Sequence, residues 1–176
     1  MEIGAGSVSE QATVWPAGIE RVPLSTRPDL AGAVYAAWKE AFAGHWGRQV
    51  ESEAEFWTER RDAKIGSAFP FEPELWLLAL ARGEAVGFCL CELSASDAES
   101  LGRVAEIGVV PARRGAGLGF ALLHDGFREL TGRGATRIVL DVDAENTTSA
   151  LRLYQSAGMT PRPAFTIWEK RPLLTS

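Results

Sequence analysis

IGVVPARRGAGLGFALL, running from Ile107 to Leu123, is the stretch whose reading decides the rest. Ile107, Val109 and Val110 are β-branched and apolar, as a strand requires. Pro111 closes that run because it has no N–H to give to a ladder. Gly115, Gly117 and Gly119 then occupy every second position, so the backbone turns without Cβ clashes and lets a ligand come close. The apolar helix that follows presents free N–H groups and the positive end of its dipole at that corner. Strand, glycine turn and helix start together predict an anion site, most often for a phosphate.

The spacing narrows the ligand. A dinucleotide fingerprint needs Gly-x-Gly-x-x-Gly/Ala, but the sixth position is Phe120 counted from Gly115 and Leu122 counted from Gly117. A P-loop needs a lysine directly after a glycine, and the chain has none. The pattern Arg/Gln-x-x-Gly-x-Gly/Ala is met by Arg114, Gly117 and Gly119. In this the segment resembles the pyrophosphate-binding loop for coenzyme A of the GNAT-type N-acetyltransferases. A second stretch, DVDAENTTSALRLYQSAGM from Asp141 to Met159, resembles that family's next motif: a strand end, an Asn, a helix with a Tyr, then Gly and an apolar residue, here Met159. Two motifs in the right order are more specific than either alone.

Outward from these stretches the chain reads as alternating elements. Residues 1–17 are Gly/Ser-rich and weakly patterned, predicting a mobile tail ahead of one domain over 18–176. Gly18–Leu24 predicts a short edge strand. Cap signals at Ser25–Asp29 open a helix to about Gly44, with Leu30, Val34, Ala37, Trp38, Ala41 and Phe42 as its apolar stripe. A more polar helix follows over Glu51–Arg61, then a loop over Ile65–Pro73. Leu75–Ala81 and Ala85–Leu93 read as a hairpin turning at Gly83. Strands at Arg103–Val110 and Thr136–Val142 flank a helix from Gly117 to about Thr131. A helix over Asn146–Ala157 and a last strand within Thr160–Glu169 complete the order. The fold class expected is α/β, a central mixed sheet with helices on both faces. The resemblance implies in addition that the strands ending at Val110 and Val142 splay apart.

The resemblance also implies an activity: direct transfer of an acetyl group from acetyl-CoA to the primary amine of a small molecule. Such chemistry needs a neutral amine, a stabilised oxyanion and a protonated leaving thiolate. Backbone groups of Ile107, Val109 and Val110 would hold the pantetheine arm and donate to the thioester oxygen. Arg114, Gly115, Ala116, Gly117, Leu118 and Gly119 would form the diphosphate loop. Asn146 would contact the pantetheine amides, or serve as a helix N-cap. Tyr154 matches the usual general acid; an ordinary tyrosine titrates near ~10, above a thiol at ~8.5. Glu106, pointing opposite to Ile107 and Val109, is the candidate base, with a structural carboxylate as the alternative; His45 is the second candidate. His45 and Trp46 are candidate walls of the acceptor pocket. The run EAFAGHWG with the ending DVDAEN resembles the actinobacterial branch that includes mycothiol synthase, which does not fix a mycothiol precursor as substrate. A non-catalytic acyl-CoA-binding or interaction module with the same fold is the rival reading.

Composition sets the outer bounds. The 176 residues carry a net charge of −5, against a general nucleic-acid binder. Cys89 and Cys91 would point to one side of a strand as small buried hydrophobes, and two such thiols suit a reducing cytoplasm. No metal-ligand spacing is present. From Asp141 a calcium loop would need Gly at its sixth and Glu at its twelfth place, where Asn146 and Arg152 stand. No run approaches membrane length and no leader pattern opens the chain. The partners expected are coenzyme A and a small amine, without nucleic acid or membrane; edge strands toward the C-terminus are compatible with a homodimer.

Overall fold

The computed structural model describes residues 1–43, 51–94, 100–142 and 149–162. Among them the strands are β1 (Glu2–Gly4), β2 (Ile19–Pro23), β3 (Trp76–Ala81), β4 (Glu84–Leu93), β5 (Leu101–Val109) and β6 (Arg137–Leu140). The helices are α1 (Ala31–Ala41), α2 (Glu53–Arg60), α3 (Leu118–Gly132) and α4 (Ser149–Ser156). One mixed sheet runs β1-β6-β5-β4-β3-β2. Only β5 and β6 are parallel; the other neighbours are antiparallel. Helices cover both faces, as the patterning predicts. A Cβ on Gly108 would strike Ala41 of α1 and Phe88, whereas one on Gly87 would strike Leu122 of α3 and touch Leu118.

Local chemistry accounts for most boundaries. The β3–β4 hairpin turns through Arg82 (φ 55°) and Gly83 (φ 83°), two left-handed residues as a tight two-residue turn requires. Helix α2 starts on a capping box: Ser52 Oγ accepts from the Glu55 amide, and the Glu55 carboxylate accepts from the Ser52 amide at 2.7 Å. The chain approaches α1 through short 3₁₀ turns at Leu24–Thr26 and Pro28–Leu30, so the regular helix begins later than its cap signals suggest. Helix α3 buries Leu118, Leu122, Leu123, Phe127 and Leu130, the stripe read from the sequence. Cys89 and Cys91 sit side by side in the core, Sγ atoms 3.6 Å apart. Their neighbour is Gly126 of α3, where a Cβ would lie 3.0 Å from both sulfurs.

Within the N-terminal segment, Glu2–Gly4 pairs antiparallel with β6 and forms the sheet edge, with Ile3 buried opposite Ile138. Further along, Thr13 Oγ1 lies 2.8 Å from His124 Nδ1 and donates to Asp125. Trp15 Nε1 donates to the same carboxylate at 3.1 Å, and Arg21 pairs with it at 2.9 Å. A three-residue strand is too short for its alternation to show in composition, and the anchors lie more than 100 residues away on α3. At the other end, Thr160 bridges to Glu2; the rest of the last predicted strand, beyond Arg162, lies outside the described residues.

Candidate active site

The corner between β5 and α3 has the geometry of an anion cradle. Gly115 (φ 79°) and Gly117 (φ 82°) hold left-handed backbone, and Gly117 caps α3. A Cβ on either would meet nothing within 4 Å. Among the described residues, the amides of 115–120 donate to no carbonyl or side chain; the first hydrogen bond past the corner is Ala121 N–H to Gly117 O, 3.1 Å. A helix start leaves its first amides unbonded, and here the left-handed turns extend that run. Gly119 serves packing: a Cβ there would sit 3.3 Å from Leu153 Cδ2 of α4. Arg114 faces away from the cradle. Its Nε donates to Val109 O at 3.0 Å and its Nη2 to Ala41 O at 2.7 Å. It ties the loop to the end of β5 and to the C-terminus of α1.

Beside the cradle the sheet opens. Among the described residues the β5–β6 ladder runs from Leu101↔Arg137 to Val104↔Leu140, while β5 stays paired with β4 as far as Val109↔Gly87. Between Val104↔Cys91 and Glu106↔Leu90 one residue, Ala105, is extra. This bulge switches the phase of the strand. Gly102 faces α3, whereas beyond the bulge Gly108 faces α1. Glu106 shares the phase of Gly108, so the bulge turns its carboxylate toward α1 and α2. Val110 N–H donates to Val86 O at 3.0 Å. Alternation then places the backbone groups of Ile107 and Val109 on the opposite edge, toward the gap left by β6. Val110, grouped with them in the sequence reading, belongs by its amide to the β4 ladder.

Glu106 lines a pocket of about 220 Å³ with Glu59, Arg60, Lys64, Arg103 and Asp141. One carboxylate oxygen pairs with Arg60 Nη2 at 2.8 Å; the other accepts from Trp38 Nε1. Arg60 in turn meets both oxygens of Glu51, at 3.0 and 3.1 Å. Burial works against the Arg60 charge, but Glu106 and Glu51 outweigh it and hold the guanidinium above its ordinary value. On the same face Glu92, nearly buried, joins Lys64 at 2.8 Å and Arg103.

Tyr154 projects from α4 into the core and is 8% exposed. Among the described residues its hydroxyl has no hydrogen-bond partner. Burial, reinforced by Cys89, pushes its phenol up to about 12. His45, Trp46 and Asn146 lie outside the described residues. Of the predicted set, the structure brings the glycine corner, Ile107 and Val109 along one open edge, with Glu106 on the neighbouring face of the same strand. Sequence reasoning missed Arg60, Glu51 and the contact of Trp38 with Glu106. Trp38 was legible only as a core aromatic, and Arg60 stands 46 residues from its partner. No metal-holding group of His, Cys, Asp or Glu occurs among the described residues. Nor is any helix among them long and apolar enough to cross a membrane.

Comparison with known proteins agrees with this geometry. The model of the acetyltransferase (GNAT) family matches residues 32–159. A mycothiol acetyltransferase of Kineococcus radiotolerans is 39% identical over 138 residues, 78% of this chain and 43% of that protein. A GCN5-related N-acetyltransferase from Sphaerobacter thermophilus is 31% identical, with a TM-score of 0.68 over 90% of this chain and 46% of that one. An aminoglycoside N-acetyltransferase solved in complex with CoA shares the fold at 18% identity, with a TM-score of 0.61 over 90% of this chain and all (100%) of that one. The chain spans about half the length of the curated relatives it matches. With the glycine corner, the parted strands and the family model in agreement, the chain belongs to the acetyltransferase (GNAT) family.

Proposed function

We propose that the protein is an acetyl-CoA-dependent N-acetyltransferase that acts by direct transfer on the primary amine of a small polar molecule. The observation that carries this is the run of unbonded amides at 115–120 beside the unpaired edge of β5. Such a corner suits a diphosphate, and the neighbouring edge suits the amide-bearing arm attached to it. Acetyl-CoA supplies an acyl group on a leaving thiol. The amides of Ile107 and Val109 orient it, and Asn146 is proposed as a further contact. The acetyl group itself is favoured by the names of the curated relatives.

The acceptor enters from the face of α1 and α2. The pocket beside Glu106 is small and walled by charges of both signs, which favours a compact, polar amine over an apolar one. Glu106 takes a proton from the arriving ammonium and leaves the nitrogen lone pair free to attack. Tyr154 is proposed as the proton donor on the opposite side. A phenol near 12 stays protonated at every working pH. Giving its proton fully to a thiolate of ~8.5 would be uphill by roughly 5 kcal/mol, so it acts by sharing the proton as the C–S bond breaks.

The test is CoA release, followed by chromatography, from acetyl-CoA with a panel of glucosamine, cysteamine, spermidine and amino acids. Tyr154→Phe should lower turnover by about 10²-fold or more with CoA affinity nearly unchanged. An unchanged rate would remove Tyr154 from the chemistry. CoA binding without release across the panel would support the non-catalytic alternative.

A further inference from the structure

We infer that Lys64 and Arg103 form a subsite for an anionic group, so that the acceptor is an amine that also carries a phosphate or a carboxylate. This rests on the reading of the pocket beside Glu106 as the acceptor site. Lys64, which follows α2, and Arg103 of β5 both line that pocket, and both turn to one carboxylate, that of Glu92 on β4. Lys64 Nζ meets one oxygen at 2.8 Å. Arg103 Nε donates to the other at 2.8 Å, and its Nη2 donates to the same oxygen. The guanidinium lies over the Phe69 ring, 4.9 Å from its centroid. Gly102 faces α3, so alternation sends Arg103 to the other side of the sheet. The extra residue at Ala105 brings Glu106 to that same side, and Arg103 and Glu106 share one wall.

The charges of this group do not balance. The Glu92 side chain is 8% exposed, and a carboxylate so buried needs a cation beside it. One is enough. Two cations against one carboxylate leave a surplus positive charge, and the side chains that carry it are only 21% and 30% exposed. The second cation gives up hydration that a carboxylate already matched does not return in full. Nor are the donors used up. Lys64 has three N–H groups and Arg103 five, and among the described residues both hydrogens of Arg103 Nη1 lack an acceptor. A phosphate or carboxylate meets a point charge and a planar donor there, the pairing such groups bind best. The other charged groups of the pocket are Arg60, engaged by Glu51 and Glu106, and the carboxylates of Glu59 and Asp141. Glu59, 3.8 Å from Arg60, and Asp141, 3.3 Å from Arg162, are both largely exposed and suit an arriving ammonium. An acceptor of both signs matches both ends, whereas a polyamine meets repulsion at Lys64 and Arg103.

The experiment compares acceptors that differ only in the anionic group: glucosamine 6-phosphate against glucosamine, and cysteine against cysteamine. The two pairs tell a phosphate from a carboxylate. The readout, in the full chain, is the ratio of kcat/KM for the anionic member to that for its neutral partner, from CoA release. In wild type one pair at least should favour the anionic member about tenfold or more, and added salt should lower that preference. Lys64→Gln and Arg103→Gln each leave Glu92 one cation, and each should bring the ratio close to one. A residue that only supports the fold would lower both members alike and leave the ratio unmoved. A wild-type ratio at or below one in both pairs, or a ratio that Lys64→Gln does not change, overturns the inference; Lys64→Gln decides alone if Arg103→Gln does not fold. If no acceptor releases CoA, the reading as an acetyltransferase of such amines fails. Calorimetric titration of the CoA-loaded protein with glucosamine 6-phosphate and glucosamine then decides the subsite. Tighter binding of the phosphorylated sugar that is lost in Lys64→Gln upholds it, and equal binding of the two sugars overturns it.

Discussion

Gly117→Ala separates the two demands made on the glycine corner, and Gly18→Ala is its matched control. Both glycines are left-handed, at φ 82° and 76°, and a Cβ on either would meet no protein atom within 4 Å. An alanine at either site therefore carries the same backbone strain and no clash. That strain costs about 1 kcal/mol, or ~2–4 °C in Tm for a chain of this size. The two variants should be equally destabilised. They differ in what the empty space is for. Gly18 precedes β2, the edge strand that β3 and β4 separate from β5; Gly117 caps α3 in the middle of the unbonded amides. A methyl group there stands where an anion must approach the backbone. Loss of one charge-assisted hydrogen bond raises Kd for CoA roughly tenfold to a hundredfold. Calorimetric titration with CoA should show that weakening for Gly117→Ala and wild-type affinity for Gly18→Ala. Equal affinities in the two variants would refute the cradle.

Other expectations concern the scaffold. Gly126→Ala should cost about 1–3 kcal/mol, because its Cβ would press on both Cys89 and Cys91; urea titration in a Cys91→Ala background should show part of that cost relieved. Asp125→Ala removes the shared acceptor of Thr13, Trp15 and Arg21 and should cost ~3 kcal/mol, with faster proteolysis within residues 8–17 than in wild type. At alkaline pH, Tyr154 has a folded value of about 12 above an unfolded one of ~10, so its stabilising share is full below pH 10 and is lost as pH rises toward 12. Denaturant titrations at pH 8 and 11 should show wild type losing about 1 kcal/mol more than Tyr154→Phe. The Cys91 thiol, raised by its hydrogen bond with Cys89 and by burial, adds a loss in the same direction that both proteins share.

The strand, glycine turn and helix start were legible because everything that shapes them is local: three alternate glycines, a strand before them and an apolar helix after. The helices and the hairpin were legible for the same reason. What escaped the sequence was set by pairing between distant segments. The bulge at Ala105 exists only relative to β4, yet it decides which face Glu106 takes. The motif places Arg114 at the loop, but its guanidinium reaches back to Ala41, 73 residues earlier in the chain. The strand at Glu2–Gly4 is likewise defined only by its partner β6. Arg60 carried no motif at all; only its contact with Glu106 across the fold makes it a neighbour of the pocket.

In the proposed function, backbone amides of one corner hold the diphosphate while the open edge of β5 holds the arm beyond it. Titration of the ¹⁵N-labelled protein with CoA reads those amides one by one. Resonances of Gly115–Phe120, Ile107 and Val109 should move together and saturate at one affinity, while those of β2 and β3 stay still. Binding of CoA that leaves the 115–120 amides unmoved would contradict it.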